Sequence, residues 1–267
     1  MKKVLLSFDI EEFDYPKERG GNISLEEGIK VSSEGLEIIL AICAEANIKA
    51  TFFCTGNFAS IRPDLIKRIT ADGHETACHG IEHFAPKATD IENAKLIIEN
   101  ATGQKPVGYR QPRMKTIDYA ELARCGYLYD SSVNPAFIPG RYNNFRLPRT
   151  PYYSESILEI PVSAATIFRI PLFWLSLHLL PFSLYCFLAK NALAQTGYFA
   201  IYLHPWEFAD LSPFACIPAY IKYNSGKKLA RRLTWLIERL KEKRCDFITY
   251  ADFAKTYSNN AKGGRQQ

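Results

Sequence analysis

Short apolar runs alternate with amphipathic helical patterns along nearly the whole chain, and this alternation predicts a parallel α/β fold. Several runs are apolar at successive positions, as strands in a sheet covered on both faces require. The predicted strands are residues 4–9, 50–55, 75–79, 107–111, 128–132, 158–162, 198–204 and 246–250. Eight is a count typical of a barrel, but an eight-strand α/β barrel and an open doubly wound sheet would both produce this alternation.

The segments between the strands have helix patterns with recognisable ends. Ser33 is placed to cap one helix and Asn47 to stop it. The other predicted helices are residues 64–69, 89–101 and 117–124, and a basic helix with a leucine stripe from Leu229 to Leu240. No linker divides the chain, so we predict one domain over residues 1–255, followed by a disordered tail at 256–267.

Composition and charge narrow the class of protein. The chain has 267 residues, of which 47% are apolar and 23% charged, which is enough for one large hydrophobic core. Its net charge of +5 comes from residues 225–244, which hold eight Lys or Arg and two Glu. A solvated outer helix explains this charge better than a phosphate-binding surface, so we expect no nucleic-acid partner. No glycine-rich nucleotide motif follows the first strand.

The cysteines and the first residues bear on the compartment. Seven cysteines are spread singly without a CxxC pair, which suits reduced core thiols better than disulfides. The first apolar stretch is interrupted by Asp9 before it reaches the length of a signal peptide. The sequence therefore predicts a cytoplasmic protein.

Residues 170–189 contain no Asp, Glu, Lys or Arg over a length that could span a bilayer. A single span would place Asp9 and His204 on opposite sides of the membrane, and two prolines interrupt the run. We therefore predict an apolar insertion at about 165–195 that packs on the barrel. The alternative is an apolar flap that contacts a membrane surface or a lipid-linked glycan through Phe173, Trp174, Leu175, Leu179 and Phe182.

Ionisable residues follow the carboxyl ends of five predicted strands. In a parallel barrel these ends meet at one mouth, where functional groups lie. The candidates are Asp9, Glu11 and Glu12 after the first strand, His79 and His83 after the third, Arg110 and Asp130 at the next two, and His204 after the seventh. Their recurrence at one end of the sheet predicts a single site.

His79 and His83 have the spacing HxxxH, which places both imidazoles on one side of a helical turn. Two imidazoles and one carboxylate, with positions left open, are typical of catalytic zinc sites. We expect Glu11 to be the carboxylate, with Glu12 as the alternative. The same ligands also suit Co, Ni or Fe, so the predicted cofactor is one divalent metal ion, with zinc preferred.

Hydrolysis at such a centre needs a base for the water and an acid for the leaving group. Asp9 and His204 form the available pair, since a carboxylate beside a cation stays ionised and a histidine donates a proton near neutrality. Arg110 would hold Asp9 in place, and Asp130 would orient His204.

Four further residues are candidates for binding a substrate. Trp206 lies two residues after His204 and is suited to form a pocket wall. Tyr109 and Pro112 flank Arg110 in the same motif. Arg149 belongs to a long loop rich in arginine and aromatic residues, which suits sugar hydroxyls and carboxylates.

These motifs resemble, in order, those of the polysaccharide deacetylases with a NodB-homology domain, carbohydrate esterase family 4. The segments that carry the resemblance are SFDIEEFD, HGIEH, YRQPR, YDSS and YLHPWE. YDSS and LHPWE look most similar to bacterial deacetylases associated with exopolysaccharide synthesis. The resemblance extends from residue 4 to about residue 250.

The resemblance implies an α/β fold, a distorted (β/α) barrel of seven or eight parallel strands in a single domain. It also implies metal-dependent removal of N-acetyl groups from an amino sugar in a saccharide or glycan precursor. By it, Asp9 matches the base, His79 and His83 the metal ligands, Arg110 the base-positioning residue and His204 the acid. The second carboxylate is Glu rather than the family's Asp, and the fourth motif lacks its frequent Trp. A metal-free, allantoinase-like cyclic-amide hydrolase and a non-catalytic carbohydrate-binding barrel remain as alternatives.

Overall fold

The structure, a computed structural model, describes residues 2–87, 90–139 and 142–263. Its strands are β1 (Lys3–Ile10), β2 (Thr51–Cys54), β3 (Glu75–Cys78), β4 (Gly108–Tyr109), β5 (Tyr129–Asp130), β6 (Phe137–Ile138), β7 (Tyr142–Asn143), β8 (Tyr152–Ser154), β9 (Ile157–Glu159), β10 (Tyr198–Leu203) and β11 (Asp246–Phe247). Its helices are α1 (Tyr15–Glu18), α2 (Leu25–Glu45), α3 (Gly56–Ile61), α4 (Pro63–Ala71), α5 (Asp90–Thr102), α6 (Tyr119–Arg124), α7 (Trp174–Leu179), α8 (Phe182–Thr196), α9 (Ala219–Lys222), α10 (Lys227–Lys241) and α11 (Tyr250–Gly263).

Seven strands form a continuous parallel run in the order β10-β1-β2-β3-β4-β5-β9. Strand β8 pairs antiparallel with β9, and β11 adds a parallel strand beside the start of β1. The backbone N–H of Ser163 donates to the carbonyl of Ala200 at 2.9 Å, so the chain after β9 contacts β10 and the sheet curls round. The strand order never reverses from β1 to β5, unlike that of a doubly wound sheet. The predicted distorted (β/α) barrel in a single domain is confirmed.

All eight predicted strands have counterparts, and buried apolar runs mark the longest of them locally. Seven of the eight residues of β1 are buried, and all of β2 and β10. The sequence did not predict β6, β7 and β8, which are two or three residues long, and β6 and β8 are partly exposed. Runs so short have no detectable hydrophobic period.

The start of α2 differs from the prediction. The helix begins eight residues before Ser33, at Leu25, and the side chain of Ser24 accepts a hydrogen bond from the N–H of Glu27 at 3.1 Å. Ser33 lies buried inside the helix and donates to the carbonyl of Ile29 at 2.7 Å. Ser33 is therefore not a cap, because the apolar stripe that packs on the barrel already begins with Ile29.

The chain end also differs from the prediction. Helix α11 continues to residue 263, so the expected disordered tail at 256–267 is wrong for residues 256–263. The hydroxyl of Tyr257 donates to the carbonyl of Pro151 at 2.9 Å, and its ring stacks on Phe253, which ties the helix to the barrel. Residues 264–267 lie outside the described residues, as does Thr89, the predicted first residue of α5.

The apolar insertion folds into α7 and α8 and the turn before them, and it packs against the barrel as predicted. Phe173 and Trp174 are buried, whereas Leu179 is half exposed. Within the described residues no helix is both long and apolar enough to cross a bilayer. Contact of residues 170–189 with a membrane or a lipid-linked glycan stays a prediction, and so does a cytoplasmic location.

Candidate active site

The ionisable side chains that follow the strands meet at the carboxyl end of the barrel. Asp9 is the penultimate residue of β1, His79 directly follows β3, and His204 directly follows β10. Asp9 Oδ2 lies 3.9 Å from His79 Nε2 and 4.0 Å from His204 Nε2. Three segments far apart in the chain thus place a carboxylate and two imidazoles around one point.

Arg110 holds Asp9 in position, as the sequence predicted. Its guanidinium is fully buried and donates to Asp9 Oδ1 at 2.6 Å. It also donates to the side chains of Ser7 and Ser131 at 3.0 Å each. Burial alone would lower the pKa of Arg110, but the charge of Asp9 raises it, so the arginine stays charged beside the carboxylate.

Glu11, His79 and His83 form a cluster with the composition of a metal site. One ligand atom from each lies within 4.8 Å of the other two. Glu11 Oε2 is 3.2 Å from His83 Nε2 and 3.5 Å from His79 Nε2. Glu11 Oε2 and His79 Nε2 are both buried without a hydrogen-bond partner among the described residues. Because buried polar atoms are normally paired, this orphaned pair fits a divalent cation bound between them.

The choice between Glu11 and Glu12 follows from their contacts. The carboxylate of Glu12 accepts hydrogen bonds from Thr55 Oγ1 at 2.8 Å and Asn57 Nδ2 at 3.0 Å. Its oxygens are therefore engaged away from the two histidines. Glu11 Oε1 accepts from the indole of Trp206 at 3.1 Å, which leaves Oε2 directed at the cluster. The preferred assignment of Glu11 agrees with this geometry.

The cluster also has the electrostatics of a cation site. Burial would raise the pKa of Glu11, but the positive charges of His83 and His204 lower it to about 2. Burial would lower the pKa of His83, but Glu11 and Asp14 raise it to about 9. Asp14 Oδ2 lies 2.9 Å from His83 Nδ1 and so directs the other nitrogen, Nε2, at Glu11. The carboxylate stays ionised and is available to a metal.

His204 is oriented by Glu207 and not by Asp130, which corrects the sequence prediction. Glu207 Oε1 accepts from His204 Nδ1 at 2.7 Å and from the backbone N–H of the same residue at 2.6 Å. Burial would lower the pKa of His204, but the charge of Glu11 and the hydrogen bond to Glu207 raise it. The Nε2 atom of His204 is left facing Asp9 and Glu11.

Asp130 instead belongs to a buried pair of carboxyl groups. Its oxygens accept from the N–H and the hydroxyl of Ser132 at 2.8 Å each, and it is hydrogen-bonded to Glu159. Burial and then the charge of Asp130 raise the pKa of Glu159 well above its ordinary value. The predicted contact fails because β5 turns the Asp130 side chain towards its neighbour β9, away from His204.

We expect Glu159→Gln to flatten the dependence of stability on pH. Because the pKa of Glu159 is higher in the folded state, the folded protein keeps a proton that the unfolded chain releases above pH 4.5. The free energy of unfolding therefore falls as the pH rises from that value towards the folded pKa. Urea denaturation at a series of pH values should show this slope in the wild type and a smaller slope in the variant.

The control for this prediction is Glu155→Gln, at an exposed position on the same hairpin. It should leave the pH dependence as it is in the wild type. Parallel wild-type and Glu159→Gln profiles would show that Glu159 holds no extra proton in the folded state.

A narrow cavity opens beside Asp9, Glu11, His83 and His204. Trp206 lines it as predicted, together with Tyr15, Arg113, Met114, Trp174 and Tyr202.

Three predicted substrate-binding residues are not among the residues that line this cavity. Tyr109 is buried, and its hydroxyl donates to Gln111 at 2.8 Å. Pro112 is buried against Gly80. Arg149 donates to Thr166 and to a glutamine of α8 instead. The role of these three residues in substrate binding therefore stays a prediction.

Sequence reasoning missed Asp14, Glu207, His178 and Trp174. Asp14 closes the motif SFDIEEFD and Glu207 closes LHPWE, so each lay beside residues that the motifs had identified. Trp174 and His178 belong to the apolar insertion, where hydrophobicity was the only signal.

Fold and site together define a barrel in which Asp9 and His204 lie buried beside a Glu/His/His cluster with the composition of a metal site. The sequence profile of a family described as "Polysaccharide deacetylase" matches residues 2–129. That range contains Asp9, Glu11, His79, His83 and Arg110, whereas His204 lies beyond it. Residues 2–129 of the chain therefore resemble the polysaccharide deacetylase family.

Individual proteins show the same likeness. A chitooligosaccharide deacetylase of Sinorhizobium fredii is 47% identical over 45 residues, which are 17% of this chain and 21% of that protein. The chain spans about a fifth to a third of the length of the curated relatives it matches.

Two solved structures share the fold. One is described as a polysaccharide deacetylase from Mycobacterium smegmatis, with a TM-score of 0.65, 20% identity, and coverage of 97% of this chain and 92% of that one. An allantoinase has a TM-score of 0.62 and 20% identity, with coverage of 95% and 90%. At such identity these structures support the barrel alone.

Proposed function

We propose that this protein is a metal-dependent hydrolase that removes N-acetyl groups from an amino sugar within a saccharide or a glycan precursor. The observation that carries the proposal is the arrangement of Asp9 and His204 beside the cluster of Glu11, His79 and His83. The family and the name of the Sinorhizobium fredii relative support an acetylated saccharide as the substrate.

The cluster fits a divalent metal, with Glu11, His79 and His83 as the residues that would hold it and zinc as the preferred ion. When bound, such an ion polarises the amide carbonyl and lowers the pKa of a water molecule.

Asp9 is placed to take the proton from the attacking water. Its Oδ1 is held by Arg110 at 2.6 Å, so Oδ2 is the oxygen free to act as base. The water oxygen bonds to the acetyl carbon, the carbon–nitrogen bond breaks, and His204 Nε2 donates a proton to the departing amine. The products are acetate and the free amino sugar.

The apolar wall of the cavity suits the methyl group of an acetyl substituent. Trp174, Trp206 and Met114 line the space next to the acid–base pair. The ring of Trp206 stacks on His204, with centroids 5.2 Å apart and an interplanar angle of 18°. Such a wall excludes water from the acid and strengthens the electrostatic interactions inside the cavity.

The test compares the wild type with Glu11→Gln and Glu12→Gln, a pair of adjacent glutamates with the same substitution. The purified proteins are stripped of metal, reloaded with zinc and assayed for bound metal and for acetate release from acetylated chitooligosaccharides. We expect about one zinc ion per chain in the wild type and Glu12→Gln, and a strong loss of both metal and activity in Glu11→Gln.

Three results would contradict the proposal. Equal metal loss in the two variants would remove Glu11 from the site. Hydrolysis that proceeds undiminished after metal removal would direct the search to cyclic amides, the class of the metal-free alternative. Saccharide binding without any acetate release would support the non-catalytic barrel.

A further inference from the structure

The apolar insertion contributes a histidine to the interior of the candidate active site. Helix α7 places Trp174 and His178 four residues apart, on one face of one turn, and both are buried. Leu179, next in the chain, is half exposed. The helix therefore turns its aromatic side chains towards the barrel, where Trp174 lies edge-on to His204 with ring centroids 5.5 Å apart.

His178 and His204 are joined by one carboxylate. His178 Nε2 donates to Glu207 Oε2 at 2.7 Å, and the other oxygen of Glu207 accepts from His204 Nδ1 at 2.7 Å. His178 and Glu207 are both fully buried. A carboxylate can only accept hydrogen bonds when ionised, so this bridge requires a proton on Nε2 of His178 and on Nδ1 of His204.

The second ring nitrogen of His178, Nδ1, shows that the hydrogen bond to Glu207 is the main polar contact of this side chain. His178 Nδ1 is buried and has no hydrogen-bond partner among the described residues. Among the described residues, the imidazole of His178 is therefore hydrogen-bonded through Nε2 to Glu207 alone. A purely structural histidine would be expected to satisfy both nitrogens or to face solvent.

We propose that His178 is a positioning residue: it fixes the carboxylate of Glu207, which in turn holds His204 with Nδ1 protonated and Nε2 facing Asp9. This inference rests on the proposed function for its role in catalysis. The hydrogen-bonded arrangement itself stands on the geometry. The insertion is then part of the machinery that presents the acid and not only an outer cover of the barrel.

The test uses His178→Gln and His178→Met. Glutamine keeps an N–H donor at the position of Nε2, whereas methionine has a similar length and shape without a donor. Both substitutions disturb packing alike, so the donor is the difference between them. We expect kcat to fall about 10- to 100-fold in His178→Met, with KM little changed, and to recover in His178→Gln to within about threefold of the wild type.

His74→Met is the matched control. His74 is also buried, but it precedes β3 at the end of the strand opposite His79, and its Nδ1 accepts from the backbone N–H of Ala50 at 3.2 Å. This variant should lower the melting temperature and leave kcat unchanged.

A second readout does not depend on any substrate. Nitrogen-15 NMR of labelled histidines distinguishes a protonated ring nitrogen from an unprotonated one. For neutral His204 we expect one tautomer, protonated at Nδ1, in the wild type and His178→Gln, and a mixture of tautomers in His178→Met.

Equal losses of kcat in both His178 variants, or no loss in either, would overturn the positioning role. If no variant and no wild-type sample releases acetate, the proposed function fails but the NMR still decides the inference. A single unchanged tautomer in His178→Met would then refute it, and a mixture confined to that variant would support it.

Discussion

Replacing Asp9 with asparagine should lower kcat for deacetylation by about 100- to 10,000-fold. The amide cannot take the proton of the attacking water, and Asp9 Oδ2 is the carboxylate oxygen that lies near both His79 and His204. Arg110 keeps its hydrogen bonds to Ser7 and Ser131, so we expect the variant to stay folded. Steady-state kinetics and saccharide binding by calorimetry should show lost turnover with retained binding.

Asp14→Asn is the control variant that separates weaker metal binding from loss of the base. Asp14 contacts His83 Nδ1 and so should affect how tightly the metal is held, by about 10- to 100-fold. Excess zinc should then restore Asp14→Asn but not Asp9→Asn. If zinc restored both variants, Asp9 would be a metal residue and not the base; if neither lost activity, the acid–base assignment would be wrong.

Replacing Arg110 with methionine should lower the free energy of unfolding by about 3–5 kcal/mol, the usual effect of removing one partner from a buried ion pair. Arg110 is fully buried and makes its closest contact, at 2.6 Å, with a carboxylate that is itself 3% exposed. Removing the guanidinium leaves the charge of Asp9 without its partner in a place that water scarcely reaches. Urea denaturation at neutral pH measures the loss.

The double variant Asp9→Asn/Arg110→Met separates charge from packing. If the unpaired carboxylate causes the loss, the second substitution should recover a large part of it in a double-mutant cycle. Arg124→Met is the control, because Arg124 lies on the surface and its ion pairs with Glu92 and Glu121 are exposed to solvent. A loss at Arg110 no larger than that at Arg124 would contradict this account.

The positions of the main strands could be predicted because burial leaves a local mark. Five of the eight residues of β1 are apolar, and β10 is apolar throughout, so each could be recognised without knowledge of its neighbours. The order of the strands around the barrel follows from their order in the chain, since right-handed crossovers place successive parallel strands side by side. The start of α2 was missed because a serine in a helix interior looks like a cap until the apolar stripe before it is found to be packed.

The choice between Glu11 and Glu12 depends on contacts that the local sequence pattern does not predict. Asp9 and Glu11 are two residues apart, a spacing that favours one face of an extended segment. The carboxylate of Glu12 accepts hydrogen bonds from Thr55 and Asn57, which lie 43 and 45 positions further along the chain. Contacts of this kind depend on how β1 and α3 pack, and no spacing in the sequence encodes them.

By itself, the sequence located the main strands and predicted Asp9, His79, His83, Arg110 and His204 as site residues, because strand periodicity and the HxxxH spacing are local properties. The choice of a barrel over a doubly wound sheet came from the resemblance to a family. The tertiary structure alone decided which carboxylate supports each imidazole. In the folded chain His204 is hydrogen-bonded to Glu207, whereas Asp130 is hydrogen-bonded to Ser132. His178, from the apolar insertion, lies 2.7 Å from Glu207. His204 and Glu207 are only three residues apart, but the preference for Glu207 over Asp130 and the approach of His178 depend on ångström-scale positions. Those positions are set by the packing of whole helices and strands, which residue types and spacings do not specify.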